Sequence, residues 1–173
     1  IATVIGARLG HCLFYEPAYY LSHPLEIFKI WEGGLASHGA AIAILIAVYI
    51  FSKKNKISYW WSMDRIATVT ALAGFFIRMG NLANSEIYGK PTGSSWGFIY
   101  ANADPLMVPR HPSQIYEGIA YLLIFAVMMF IYYRSNGKPK EGVLISLFLV
   151  LVFTARFFIE FLKEPQVDAE AGM

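Results

Sequence analysis

Charged residues are scarce in this 173-residue chain, in which only 15% are Asp, Glu, Lys or Arg. A typical soluble domain carries about 25%. Hydrophobic residues make up 57% of the chain, and the formal net charge is only +2. No basic stripe with interleaved aromatic residues suggests a nucleic-acid partner. The composition therefore indicates an all-α, polytopic integral membrane protein, and it argues against nucleic-acid binding.

Cysteine and the common catalytic motifs are also lacking. Cys12 is the one cysteine, which excludes an intrachain disulfide and is typical of a small buried hydrophobic residue. The sequence contains no His-Glu-x-x-His, Cys-x-x-Cys or Gly-x-Ser-x-Gly motif, and no Gly-rich phosphate loop ending in Lys-Ser/Thr. Metal-dependent hydrolysis and nucleotide use therefore have no support, and we expect neither a metal nor a cofactor.

Apolar runs occupy much of the chain instead. A membrane helix needs about 20 residues, and with their flanks five segments supply a helix or part of one: residues 1–15, 33–51, 59–77, 112–133 and 142–162. Between the third and the fourth, residues 86–110 are rich in Gly, Pro, Ser and Asn, which predicts an external loop with little regular structure. Pro112 is suited to be the first residue of the next helix. We predict a single transmembrane catalytic domain over residues 1–173.

Two short loops, residues 52–56 and 134–140, are rich in lysine and arginine. The positive-inside rule places such loops in the cytoplasm. The unusual polar residues then all fall on the outer side: His38, the segment 78–89, and Arg156 with its neighbours. Their position on one side of the membrane favours one shared site.

The most informative segment runs from Arg78 to Gly89. It brings an arginine, two asparagines and a glutamate together where an apolar run ends. Ionisable groups are costly in a membrane and mark a functional site by default. The planar fork of arginine suits phosphate oxygens, and a lipid headgroup carries phosphate at this depth. An arginine near a helix end also reaches the interface for purely structural reasons, so both interpretations of Arg78 stay open.

Two further polar positions have competing interpretations. Arg156 lies in the outer half of the last apolar run and either joins Arg78 on a phosphate or is neutralised by Glu160, four residues on. His38 begins an apolar helix and is either a hydrogen-bonded structural residue or a general base, since histidine titrates near neutral pH. Glu86 is the competing base. Nearby arginines favour its ionised form, so we expect it to be a weak one.

Several sequence blocks resemble those of the bacterial prolipoprotein diacylglyceryl transferase family. They occur in family order: Gly6–Gly10, Trp31–Gly34, Ser37–Gly39, Arg78–Gly89, Pro109–Glu117 and Arg156–Pro165. The resemblance covers nearly all of the chain. Because the sequence begins with Ile1 and stops soon after an apolar run, we expect it to be a fragment that lacks both ends.

The resemblance implies the reaction, its partners and its location. The family moves the diacylglyceryl group of phosphatidylglycerol to the lipobox cysteine thiol of a prolipoprotein signal peptide, forming a thioether and releasing glycerol phosphate. This is the first step of bacterial lipoprotein maturation, at the periplasmic side of the inner membrane. The implied catalytic residues are His38, Arg78, Glu86 and Arg156. Those implied to bind phosphatidylglycerol are Arg78, Asn81, Gly89, Arg156 and Glu160.

Two other classes of protein would also place arginines in a membrane. A transporter of an anionic solute should show paired repeats with Gly- or Pro-broken helices, which the sequence lacks. A non-enzymatic lipid-binding subunit would need the arginines but not His38. Transfer of labelled diacylglyceryl groups to a lipobox peptide distinguishes the enzyme from both.

Overall fold

The computed structural model describes residues 1–163. Its α-helices are α1 (Ala2–Phe14), α2 (Pro17–Ser22), α3 (Ser37–Asn55), α4 (Tyr59–Ala83), α5 (Ser113–Arg134) and α6 (Val143–Glu160), and two 3₁₀ turns, Pro24–Phe28 and Ile30–Glu32, follow α2. Within residues 1–163 there are isolated β-bridges but no strands. Glu164 and Pro165, which end the last family-like block, lie outside the described residues.

Helices α3 to α6 are each long and apolar enough to cross a membrane, and α1 is a shorter apolar helix. The predicted class, an all-α polytopic membrane protein, is confirmed. Two boundaries differ from the prediction. Helix α4 continues past Ile77 to Ala83. Four of these six added residues are Arg, Met, Leu and Ala, which are good helix formers and outweigh Gly80 and Asn81. Pro112 is the N-cap of α5 rather than its first residue.

The chain divides into two compact units, Ile1–Ser62 and Met63–Met173. In the first, α1 packs along α3 through glycines. A Cβ added to Gly10 would lie 2.8 Å from Gly39 Cα, and one added to Gly6 would overlap the Gly39 carbonyl. Small residues let two membrane helices approach closely enough for backbone contact. Gly6 and Gly10 begin and end one of the family-like blocks, and the sequence alone did not predict this contact.

Arg8 holds the irregular segment of the first unit in place. This buried side chain donates to four backbone carbonyls: Glu26 (2.6 Å), Ile27 (2.9 Å), Gly33 (2.7 Å) and Gly34 (3.3 Å). Its guanidinium also lies 5.1 Å from the centroid of the Tyr20 ring. Among residues 1–163 no carboxylate pairs with Arg8. The 3₁₀ turns have few hydrogen bonds of their own, so a side chain of α1 supplies the missing donors.

In the second unit, a carboxylate on α4 caps the start of α6. Asp64 is 1% exposed and accepts hydrogen bonds from Gly142 N (2.8 Å) and Ile145 N (2.9 Å). These are N–H groups that a helix leaves without partners at its N-terminus. Helix α4 also packs against α5: a Cβ on Gly118 would lie 2.7 Å from Met79 Cε.

The connection from α4 to α5 is irregular, as predicted, but it is internally braced. Phe98 and Arg110 exchange two backbone hydrogen bonds of 3.0 Å. The Arg110 side chain donates to both oxygens of Asp104, from Nε at 2.7 Å and Nη2 at 2.9 Å. These bonds lower the pKa of Asp104 to about 2. Burial raises the pKa of Tyr100, whose hydroxyl donates to the Gln114 side chain at 2.9 Å.

Candidate functional site

The last turns of α4 and the residues that follow form one hydrogen-bonded polar cluster. Arg78 Nη1 donates to Asn81 Oδ1 at 3.2 Å, and Asn81 Nδ2 donates to Glu86 Oε2 at 3.0 Å. Asn84 Nδ2 donates to the other carboxylate oxygen, Oε1, at 3.4 Å. Arg78 and Asn81 meet because residues three apart are neighbours on a helix surface. The structure thus joins three of the predicted site residues, Arg78, Asn81 and Glu86.

The backbone around Glu86 is fixed from the start of α5. Ser85 and Ile87 have positive φ values of 58° and 57°, which is uncommon for residues other than glycine. Gln114 Nε2 donates to the Glu86 carbonyl at 2.6 Å, and Ser113 Oγ donates to the Ile87 carbonyl at 2.7 Å. Both donor residues are 1% exposed. The first turn of α5 therefore holds Glu86 beside α4.

An apolar cavity of about 360 Å³ lies beside this cluster. Its lining comes mostly from α4, α5 and α6, and comprises Thr70, Ala71, Gly74, Ile77, Arg78, Asn81, Ile87, Tyr121, Phe148 and Val152. Arg78 and Asn81 are the lining residues that also belong to the polar cluster. An apolar cavity with a few polar groups placed at one part of its wall is the usual form of a small-molecule site. This one can receive a molecule with an apolar body and an anionic head.

Arg156 lies further along the same helix as two lining residues. Phe148, Val152 and Arg156 follow at intervals of four on α6, and residues so spaced share a helix face. Arg156 is half-buried, and within residues 1–163 its side chain makes no hydrogen bond or ion pair. Glu160 does not pair with it, because its carboxylate lies 3.5 Å from Lys163 Nζ instead. Among the described residues the proposed neutralisation of Arg156 by Glu160 is therefore not seen.

Gly89 has a steric role. Its N–H donates to the His111 carbonyl at 2.9 Å, and it forms an isolated antiparallel bridge with Lys163. A Cβ at this position would lie 2.6 Å from the Leu162 carbonyl oxygen, closer than any real side chain tolerates. Gly89 thereby lets the loop after α4 meet the segment after α6. His111 itself contacts Tyr116 OH through Nδ1 at 3.2 Å.

His38 belongs to the first unit, and its described contacts lie there. It is exposed at the start of α3, with its ring centroid 4.9 Å from that of Phe14 and 5.9 Å from that of Tyr15. Among residues 1–163 no hydrogen bond engages its imidazole nitrogens. Its participation in one site with Arg78 stays a prediction.

Glu117, on α5, is a part of the cluster that was not predicted from the sequence. It forms an ion pair with Arg78 through its Oε2 and the Arg78 Nε. Its other oxygen lies 3.6 Å from Lys163 Nζ. A signal was present in the sequence: a carboxylate inside an apolar helix is costly enough to need a reason. No group of three His, Cys, Asp or Glu residues within residues 1–163 is arranged to hold a metal ion.

Comparison with known proteins adds a family. A family model described as prolipoprotein diacylglyceryl transferase matches residues 1–173. Three relatives carry the name phosphatidylglycerol–prolipoprotein diacylglyceryl transferase. The protein from Tolumonas auensis is 51% identical over 99% of this chain and 66% of its own length. Those from Chloroherpeton thalassium and Bacteroides fragilis are 52% and 47% identical, over 96% and 98% of this chain and 62% and 65% of their own lengths. The chain thus spans just under two thirds of these relatives.

Proposed function

This chain belongs to the prolipoprotein diacylglyceryl transferase family, and from that premise we propose that it transfers the diacylglyceryl group of phosphatidylglycerol to the lipobox cysteine of prolipoproteins. The thiol sulfur forms a bond to the glyceryl carbon of the lipid, and the bond from that carbon to the phosphate oxygen breaks. Glycerol phosphate leaves, and no cofactor is consumed. The protein works from the bacterial inner membrane, with its site toward the periplasm.

The observation that carries this proposal is the apolar cavity with Arg78 and Asn81 in its wall. A lipid donor needs apolar lining for its acyl chains and positive charge for its phosphate. The leaving phosphate gains charge as the carbon–oxygen bond breaks, and preorganised donors stabilise such charge. We assign the phosphate to Arg78 and Arg156, and we count Asn81, Gly89 and Glu160 among the residues that bind the rest of phosphatidylglycerol.

The attacking thiol must lose a proton, since the thiolate is the nucleophile and a free thiol has a pKa of about 8.5. The two candidate bases differ in their surroundings. Both Glu86 oxygens accept amide hydrogen bonds from asparagines, whereas the His38 nitrogens are not hydrogen-bonded to described residues. This difference supports His38 as the base, with Glu86 orienting Asn81 and through it Arg78.

Transfer to a lipobox peptide by the complete protein, reconstituted with labelled phosphatidylglycerol, tests the proposal. We expect label on the peptide thiol, and we expect His38→Gln to keep folding and lipid binding but to lose transfer. His23→Gln is the matched control, because His23 is another exposed histidine of the same unit. It should leave transfer unchanged.

The possible results distinguish the transferase from the two alternative functions. Lipid binding without transfer by the wild-type protein would indicate a lipid-binding subunit, and uptake of a soluble anion would indicate a transporter. Near-normal transfer by His38→Gln would remove His38 from the mechanism. Thiol activation would then fall to Glu86 or to the positive field of the arginines.

A further inference from the structure

Glu117 is a buried carboxylate in the second turn of α5, a helix long and apolar enough to cross a membrane. Only 2% of its side chain is exposed, and α5 around it has a mean hydropathy of 1.9. Carrying a charge into such a helix is costly, and ionisable residues there usually face a site or a partner. Glu117 has two cationic partners, Arg78 and Lys163, one toward each oxygen.

These contacts occupy some of the N–H donors of the Arg78 guanidinium and leave others available to a ligand. Its Nε faces Glu117 and its Nη1 donates to Asn81 at 3.2 Å. Among residues 1–163 no hydrogen bond uses its Nη2. A guanidinium carries five N–H donors in a fixed plane, so holding one edge fixes the direction in which the others point. The second N–H of Nη1 and both N–H groups of Nη2 are the donors of Arg78 left for a ligand in the cavity.

The second partner connects Glu117 to the far side of the cluster. Lys163 follows α6 and is bridged to Gly89, and its Nζ lies 3.6 Å from Glu117 Oε1. That separation is an ion pair rather than a hydrogen bond. Glu117 therefore links α4, α5 and the segment after α6 at one point. It also offsets part of the positive charge of these two cations.

Resting on the proposed function, we propose that Glu117 is a positioning residue for transfer, holding Arg78 by its Nε so that the Nη1 and Nη2 end meets the departing phosphate. Stability alone is a weak explanation for this arrangement. A buried ion pair often contributes no more than well-packed apolar residues of similar volume would. Orientation, by contrast, is something that an apolar side chain at this position cannot supply.

The Glu117→Gln substitution should affect kcat more than KM. Glu117→Gln retains the size of the side chain but leaves Arg78 less well oriented and two cations less offset. Phosphatidylglycerol is still attracted, so its KM should change by less than about threefold, whereas kcat should fall about tenfold or more, because small misplacements of a charged group are costly in the transition state. Glu117→Asp restores the charge with a shorter reach, and its kcat should lie between those of the glutamine variant and the wild type.

Asp64→Asn is the matched control, since Asp64 is also a buried carboxylate of this unit but caps α6. It should lower the unfolding midpoint and leave kcat per folded molecule unchanged. Measurement of kcat, KM and the unfolding midpoint on the complete protein, for the wild type and these variants, decides the matter. A Glu117→Gln variant with a lowered midpoint and a normal kcat would show a structural role and overturn the inference.

The aspartate variant keeps the test valid if the glutamine variant does not fold. Its kcat should be below that of the wild type, and an equal kcat would overturn the inference as well. A wild-type protein that transfers nothing would contradict the proposed function and this inference with it. Normal transfer by wild type and both Glu117 variants would contradict only the positioning role.

Discussion

Replacing Asp64 by alanine should strongly destabilise the second unit, because one side chain accepts two hydrogen bonds at the start of α6. Asp64 lies on α4, and its two carboxylate oxygens accept the backbone N–H groups of Gly142 and Ile145 at 2.8 and 2.9 Å. The N-cap residue of α6, Gly142, offers no side-chain cap of its own. Removing the carboxylate leaves both donors without their acceptor.

The size of the effect follows from those two donors. A buried N–H left without an acceptor costs about 1–3 kcal/mol. The Ile145 bond is buried and the Gly142 bond is part-buried, so Asp64→Ala should lose roughly 2–4 kcal/mol of unfolding free energy. For a protein of this size each kcal/mol lowers the unfolding midpoint by about 2–4 °C, which gives a shift of roughly 4–16 °C. Asp64→Asn keeps one acceptor oxygen and presents an NH₂ group to the other donor. It should lose about half as much.

Thermal unfolding of the complete protein in detergent, followed by tryptophan fluorescence, measures this. Thr68→Val is the matched control: Thr68 is buried one turn further along α4, and its hydroxyl donates only to the Asp64 carbonyl of its own helix, at 2.9 Å. That carbonyl keeps its ordinary helical hydrogen bond in the valine variant. An Asp64→Ala midpoint equal to that of Thr68→Val would refute the assignment of Asp64 as the cap of α6.

Three further outcomes are expected. Arg78→Lys should lose most transfer to a lipobox peptide, because one ammonium nitrogen cannot contact Glu117, Asn81 and a phosphate in a single plane. Lysine at position 156 should likewise support little transfer. Full activity in both lysine variants would show that net charge is sufficient. A cysteine at Ser94, in the loop after α4, should be labelled from the periplasm of intact cells, and labelling only from the cytoplasm would reverse the topology. The pKa of Asp104 is held at about 2, below its ordinary 3.8. Its ion pair with Arg110 should therefore protect the loop from proteolysis fully above about pH 4, and this protection should decrease as the pH falls toward 2. Asp104→Asn should abolish that pH dependence, and an unchanged profile would assign it to another group.

The sequence was most informative where hydrophobic runs are long. The apolar segments predicted five helices, and α1, α3, α4, α5 and α6 occupy the expected places, because about 20 apolar residues have few alternatives to a membrane helix. The polar residues after Ile77 suggested that α4 ended there, yet it runs to Ala83. Polarity marks where a helix leaves an apolar environment, which is a different boundary from the end of its backbone hydrogen bonds.

Contacts between residues far apart in the chain could not be predicted from the sequence. Proximity in the chain suggested Arg156 with Glu160, but Glu160 pairs with Lys163. The buried carboxylates Glu117 and Asp64 are far in sequence from the groups they serve, and periodicity gives no means of matching them. Arg78, Asn81 and Glu86 could be predicted as a cluster because they are close in the chain and share a helix end.

The clamp formed by Arg8 has a consequence for how this protein can diverge. Arg8 donates hydrogen bonds to the backbone carbonyl oxygens of residues 26, 27, 33 and 34, and every amino acid carries such an oxygen. Substitutions in the 3₁₀ turns therefore leave the clamp intact, and selection there acts on other properties. Gly33 and Gly34 are exceptions, since their φ values of 89° and 69° disfavour other residues. Variation among homologues should then be wide across residues 24–30, and narrow at Arg8 and at the two glycines.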